Sequence, residues 1–134
     1  MEGISKGARE VSDAEVVGVT VPTLFPLRSM DGNPYLTKVI EETSLLSRID
    51  RMMQRSPKAK IGLPGTLGTL TEIMCAWNVA ALAPIGGYTP SKLILWRYWE
   101  KIVSCACESM NLSSEQRELI VYVDSVEDCL KALS

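Results

Sequence analysis

Residues 59–83 constrain the fold more than any other stretch, because there a strand pattern becomes a helix pattern across a glycine turn. Lys60-Ile61-Gly62-Leu63 is a short apolar run that ends a strand over Ala59–Leu63. Pro64 to Gly68 reads as a tight turn, made of residues that permit unusual backbone angles. From Thr69 the spacing is helical, with Leu70, Ile73, Met74, Trp77, Ala80 and Ala81 on it. A strand, a glycine turn and a helix N-terminus together form an anion site. Uncapped backbone N–H groups and the positive end of the helix dipole face whatever sits over the turn. The candidate phosphate-binding residues are therefore Gly65, Thr66, Leu67, Gly68 and Thr69. Glu72, one turn into the helix, puts a carboxylate beside them.

The rest of the chain alternates in the same way. A short helix is expected over Gly3–Val11 and a β-branched strand over Glu15–Val21. A loop rich in Pro, Gly and Asn follows from Pro22 to Pro34. A long helix is then expected over Tyr35–Arg55, with apolar residues at 36, 39, 40, 46, 49 and 53. The helix over Thr69–Ala83 is apolar nearly all round, so it is buried on more than one side, in the core or in a subunit interface. Pro84–Pro90 is a turn, Lys92–Trp96 a strand and Tyr98–Met110 a helix. Leu119–Val123 is the last strand, and Ser125–Leu133 the closing helix. Strands that alternate with helices mean an α/β fold, with a parallel sheet covered on both faces.

Composition narrows the function. A chain of 134 residues is one domain, 1–134, with room for a real core. Its net charge of −2 argues against a nucleic-acid partner, which would call for a basic excess. No apolar run approaches the roughly 20 residues that span a membrane, and the first residues lack a signal-peptide plan. Four cysteines without C-x-x-C spacing suggest reduced thiols, hence a cytoplasmic protein. Histidine is absent, which removes Ser-His and Cys-His nucleophile pairs and most transition-metal sites. Acid-base work near neutral pH falls to carboxylates, a lysine or a thiol.

The turn does not match the commoner nucleotide motifs. A P-loop needs Lys after its last glycine, where this chain has Thr69, and a dinucleotide fingerprint needs G-x-G-x-x-G. Pro64, Gly65, Gly68, Thr69 and Glu72 instead resemble P-G-G-x-G-T-x-x-E, the signature of the LOG ("Lonely guy") family. Its members are cytokinin riboside 5′-monophosphate phosphoribohydrolases, and bacterial relatives are often labelled lysine decarboxylases. Thr66 stands in place of the second glycine, which matters if that position needs a positive φ. Arg48 and Met52 match the family's R-K-x-x-M on the preceding helix, with Ile49 where the Lys would be. The likeness runs from Met1–Glu10, similar to the helix after the family's G-G-G-x-G loop, to the closing strand and helix. It implies a Rossmann-like, three-layer sheet lacking the family's first two strands, which would lie between the strands at 15–21 and 59–63. Either the chain is a fragment or mis-started version of a longer protein, or the fold has been rebuilt.

The function implied by the resemblance is hydrolysis of the N-glycosidic bond of a nucleoside 5′-monophosphate, with an N6-substituted AMP as one candidate substrate. Glu72 would be the catalytic carboxylate and Arg48 would hold substrate by phosphate or base contact, with no metal or cofactor required. Plainer readings stand beside these. Thr69-x-x-Glu72 is also a capping box. Ser44, Arg48, Arg51 and Arg55 share a helix face that could simply be solvated. Trp77, Trp96 and Trp99 read as core or interface residues, with base stacking as the lesser option, and Gly86-Gly87 as a turn rather than a second phosphate loop. Two rival functions are a non-catalytic nucleotide-binding or interaction module and a fragment stable only in its oligomer. A homodimer or larger homo-oligomer is expected, with Met74, Trp77, Asn78 or Ala81 near the contact.

Overall fold

The computed structural model describes residues 2–25, 33–54 and 58–134. Part of the expected loop over Pro22–Pro34, and Arg55 at the end of the expected long helix, lie outside the described residues. The chain divides into two compact units, one running from α1 to α2 and the other from β3 to α6. Parallel strands flanked by helices make it an α/β fold, consistent with a Rossmann-like arrangement.

The first unit holds α1 (Glu2–Val11), β1 (Val17–Thr20), β2 (Lys38–Glu41) and α2 (Leu45–Gln54). β1 and β2 pair in parallel, from Val17 opposite Lys38 to Thr20 opposite Glu41. The long helix expected over Tyr35–Arg55 is thus two elements. Leu36, Val39 and Ile40 fit a helical spacing, yet Thr37, Val39 and Ile40 are β-branched and sit more easily in a strand. Thr37 fastens β2 to β1 by donating its N–H to the Val16 carbonyl (2.8 Å) and accepting the Val16 N–H at Oγ1 (2.8 Å). A reciprocal cap then starts α2. Ser44 Oγ accepts from the Ser47 N–H, and Ser47 Oγ from the Ser44 N–H, both at 3.1 Å. Val21 and Ile49 are buried. Ser5 is also buried, and its hydroxyl accepts from Asn33 Nδ2 at 3.1 Å.

The second unit holds β3 (Ala59–Gly62), α3 (Leu67–Leu82), β4 (Lys92–Trp96), a 3-10 turn (Arg97–Trp99), α4 (Glu100–Ser109), α5 (Ser114–Glu118), β5 (Ile120–Val123) and α6 (Val126–Leu133). Its sheet is parallel in the order β3-β4-β5, with β4 paired on both sides. Side chains alternate across a strand. Ile94 packs with Val123 and Cys129 against α6, whereas Leu95 and Leu93 take the opposite face, where Ile73 of α3 lies beside Leu95. The β4 run is apolar at 93, 94 and 95 because both faces are covered.

Two serine N-caps punctuate the C-terminal part. Ser125 caps α6 as the sequence implies, accepting from the Asp128 N–H at 3.1 Å. The short α5 is not among the expected elements, although Ser113-x-x-Gln116 is its signal. Ser113 Oγ accepts from the Gln116 N–H, and Gln116 Oε1 accepts from the Ser113 N–H. The turn at Gly86-Gly87 closes α3, with Gly87 at φ +75°. Among the described residues no helix is long and apolar enough to cross a membrane.

Candidate functional site

β3 delivers its last residue, Gly62, into the core. A Cβ there would come within 2.5 Å of Leu95 Cδ2 and 3.0 Å of Ile73 Cδ1, so only glycine lets α3 lie this close to the sheet. The chain then turns through Leu63, Pro64 and Gly65 and enters α3 at Leu67, two residues before the expected start. Thr66 is the residue that precedes the helix. Its φ of −116° and ψ of −166° are extended, so a glycine's conformational freedom is not needed at this position. Thr66 therefore departs from the P-G-G-x-G-T-x-x-E signature without backbone strain.

The capping box expected from Thr69 and Glu72 does not form as such, because the cap position lies three residues earlier. Thr69 is the third residue of α3, and Glu72 the sixth. Thr66 makes no side-chain cap hydrogen bond. The N–H groups of the first helical residues, Leu67, Gly68 and Thr69, are thus not taken by a capping side chain. Leu67 and Gly68 are exposed, and a Cβ on Gly68 would meet nothing within 4 Å, which leaves the helix end open to a ligand. Thr69 folds its side chain over Gly65, where a Cβ would collide with Thr69 Oγ1. Glu72 is half-buried one turn further on. The Cα–Cβ bonds of a helix tilt toward its N-terminus, so the Glu72 side chain sets out from α3 in the direction of Gly68 and Thr69.

The turn is held from β4. Trp99 is buried and donates Nε1–H to the Leu63 carbonyl at 2.9 Å. Tyr98 donates its hydroxyl to the Gly65 carbonyl at 3.2 Å, and its ring meets Trp99 edge-on, with centroids 4.9 Å apart. Next to them, Arg97 Nε donates to both Asp124 oxygens, at 2.7 and 2.8 Å, and Arg97 Nη1 reaches Glu100 at 3.0 Å. The segments that follow β3, β4 and β5 are thereby stitched together at the carboxyl edge of the sheet, where open α/β sheets bind ligands. The sequence marks Trp99 as a core or interface residue, with base stacking as the lesser option, and leaves Tyr98 without a role. The available signal was Arg97-Tyr98-Trp99, three hydrogen-bond donors directly after a strand. Trp77 is core, with Nε1 donating to the Gln116 carbonyl at 2.7 Å. Trp96 packs on the Ile94 cluster.

Arg48 stands in the other unit, on α2, where its Nε donates to the Val19 carbonyl at 3.0 Å. Arg51, on the same helix, bonds Glu42 at 2.8 Å, an ion pair that holds the Glu42 carboxyl below its usual range. The charged face expected on α2 is thus engaged by its own unit at 48 and 51. Ile49, which replaces the Lys of R-K-x-x-M, is buried. The structure gathers Gly65, Thr66, Leu67, Gly68, Thr69 and Glu72 into one strand–turn–helix, and Arg48 belongs to a separate element of the first unit.

Among the described residues Lys60 is the lysine whose surroundings suit a Schiff base, since burial lowers its pKa. Its Nζ lies 3.5 Å from Ser91 Oγ, at the amino end of β4 and not at the carboxyl end where the turn sits. A family model described as possible lysine decarboxylase matches residues 1–133. No curated protein matches the chain.

Proposed function

This chain belongs to the possible lysine decarboxylase family, and from that premise we propose that it hydrolyses the N-glycosidic bond of a nucleoside 5′-monophosphate. The products are the free base and ribose 5-phosphate. One observation carries the reading: α3 opens with no capping side chain on its N-terminus, and Glu72 follows one turn behind. The 5′-phosphate sits over Gly65 to Thr69, held by backbone N–H groups and the Thr69 hydroxyl. As the base departs, positive charge builds at the anomeric carbon. The Glu72 carboxylate stabilises that charge and takes a proton from the attacking water. An N6-substituted AMP, as in the cytokinins, is the substrate that the LOG resemblance favours. That resemblance alone carries the substrate-holding role of Arg48. Lysine decarboxylation is disfavoured, because Lys60 points to the wrong end of the sheet for chemistry at the turn.

The proposed assembly is a homodimer or larger oligomer, with α3 at the contact. Since Trp77 is committed to the core, the contact falls nearer Met74, Asn78 and Ala81.

Glu72→Gln tests the chemistry. The amide keeps the side chain's shape and loses the charge, so free-base release should fall roughly 100-fold or more while nucleotide binding persists. Isothermal titration and a base-release assay on one preparation provide both readouts. Turnover within a few-fold of wild type would remove Glu72 from the mechanism. Binding by the wild-type protein without any release would favour the non-catalytic module.

A further inference from the structure

We propose that Tyr98 is a positioning residue for the phosphate turn: its hydroxyl fixes the peptide plane between Gly65 and Thr66 so that the Thr66 N–H faces the bound 5′-phosphate. The inference rests on the phosphate site proposed above. Tyr98 donates to the Gly65 carbonyl at 3.2 Å. A trans peptide is planar, with its C=O and the following N–H on opposite sides. Drawing the Gly65 carbonyl toward the 3-10 turn therefore aims the Thr66 N–H away from it, to the side where α3 begins. Thr66 is extended and precedes the helix, so its N–H takes no part in the helical ladder.

The neighbouring bond from Trp99 is of another kind. Trp99 Nε1 holds the Leu63 carbonyl at 2.9 Å, but the next residue is Pro64, which has no N–H to aim. Trp99 anchors the turn and Tyr98 orients a donor in it. The edge-on contact, at 4.9 Å between centroids and 87° between planes, seats the exposed Tyr98 ring against the buried Trp99. The Thr69 side chain also packs on Gly65. Both contacts restrain the Gly65–Thr66 peptide.

Tyr98→Phe removes one oxygen and leaves the ring on Trp99. Titrations with adenosine 5′-monophosphate and with adenosine should show the monophosphate binding about five- to tenfold more weakly than to wild type. Adenosine affinity and the melting temperature should not change. Trp77→Phe is the control: it removes a buried indole and its bond to the Gln116 carbonyl away from the turn, so it should lower the melting temperature while the preference for monophosphate over nucleoside stays within about twofold of wild type. An unchanged preference in Tyr98→Phe, or an equal loss in Trp77→Phe, would overturn the assignment. A wild-type protein with no preference for the monophosphate would instead overturn the phosphate site itself, and the wild-type titration alone reveals that case.

Discussion

The two units are built from the same elements, yet their strands are buried to different depths. In the second unit β4 is paired on both sides, and Leu93, Ile94 and Leu95 are at most 2% exposed. In the first unit, among the described residues, β1 and β2 pair only with each other, and neither strand contains a buried residue. A central strand loses both its faces and both its edges to protein, whereas a two-stranded ladder keeps an open edge on each strand. The candidate phosphate turn grows from the deeper sheet. It also has aromatic bonds from β4's continuation to hold it, which suits a site whose donors must stay aimed.

The widest gap between the units should appear on truncating a strand side chain. Leu95→Ala empties a fully buried position and should cost about 2–5 kcal/mol. Val19→Ala, in half-buried β1, should cost less than about 1 kcal/mol. Urea unfolding of the two variants checks this, and equal costs would erase the distinction drawn between the sheets.

Two glycines sharpen the comparison at smaller scale. A Cβ on Gly62 would press on Leu95 and Ile73, both buried and unable to move aside. Gly62→Ala should therefore destabilise by about 1–3 kcal/mol. A Cβ on Gly18 would come within 2.7 Å of Leu36 Cδ1, the far end of a half-buried, flexible side chain. Its displacement is offset by the gain from replacing glycine in a strand, so Gly18→Ala should stay within about 1 kcal/mol of wild type. Thermal melts that rank Gly18→Ala as the worse variant would mean that β1 is the tighter of the two regions.

Legibility in the sequence cut across that divide, since α1 and β1 of the first unit were readable to within two residues of their observed bounds. β3, β4, β5 and α6 were readable to within a residue or two because each carries a signal the fold does not override: an apolar run between turn residues, or Ser125 at a helix start. β2 was not, since Leu36, Val39 and Ile40 satisfy a helical spacing that masks the β-branched signal of Thr37, Val39 and Ile40, and the parallel pairing with β1 decides for a strand. The turn and Glu72 were legible as one segment because they are contiguous. Its hydrogen-bond support was hidden, because Tyr98 and Trp99 lie more than thirty residues away and pairing in the sheet brings them near. The start of α3 was misplaced because Thr69-x-x-Glu72 mimics a capping box, whereas the extended residue is Thr66.

The smallest effect concerns one carboxylate from each unit, and it separates them by cause. Glu42 titrates below its usual value chiefly because Arg51 bonds it, and Asp128 chiefly because the Ser125 hydroxyl does. Both folded-state pKa values are depressed, so both contributions to stability are fully present above the ordinary carboxylate range and fade as pH falls through the lowered values. Salt should treat them differently. The Glu42 bond joins two full charges, and Arg51 is about half exposed, with 48% of its side chain accessible. At about 1 M salt the screening length is about 3 Å, so much of that attraction is lost. The Ser125 bond comes from a neutral hydroxyl and is fixed by the α6 cap, and the weaker contributions open to screening are the Lys131 contact at 3.4 Å and the charge of Arg97. An NMR titration of both carboxyl groups at low and high salt should show Glu42 rising toward its ordinary value and Asp128 moving less. If Asp128 rises as far as Glu42, its depression comes from the Lys131 and Arg97 charges, and the cap of α6 does not hold the carboxylate as described.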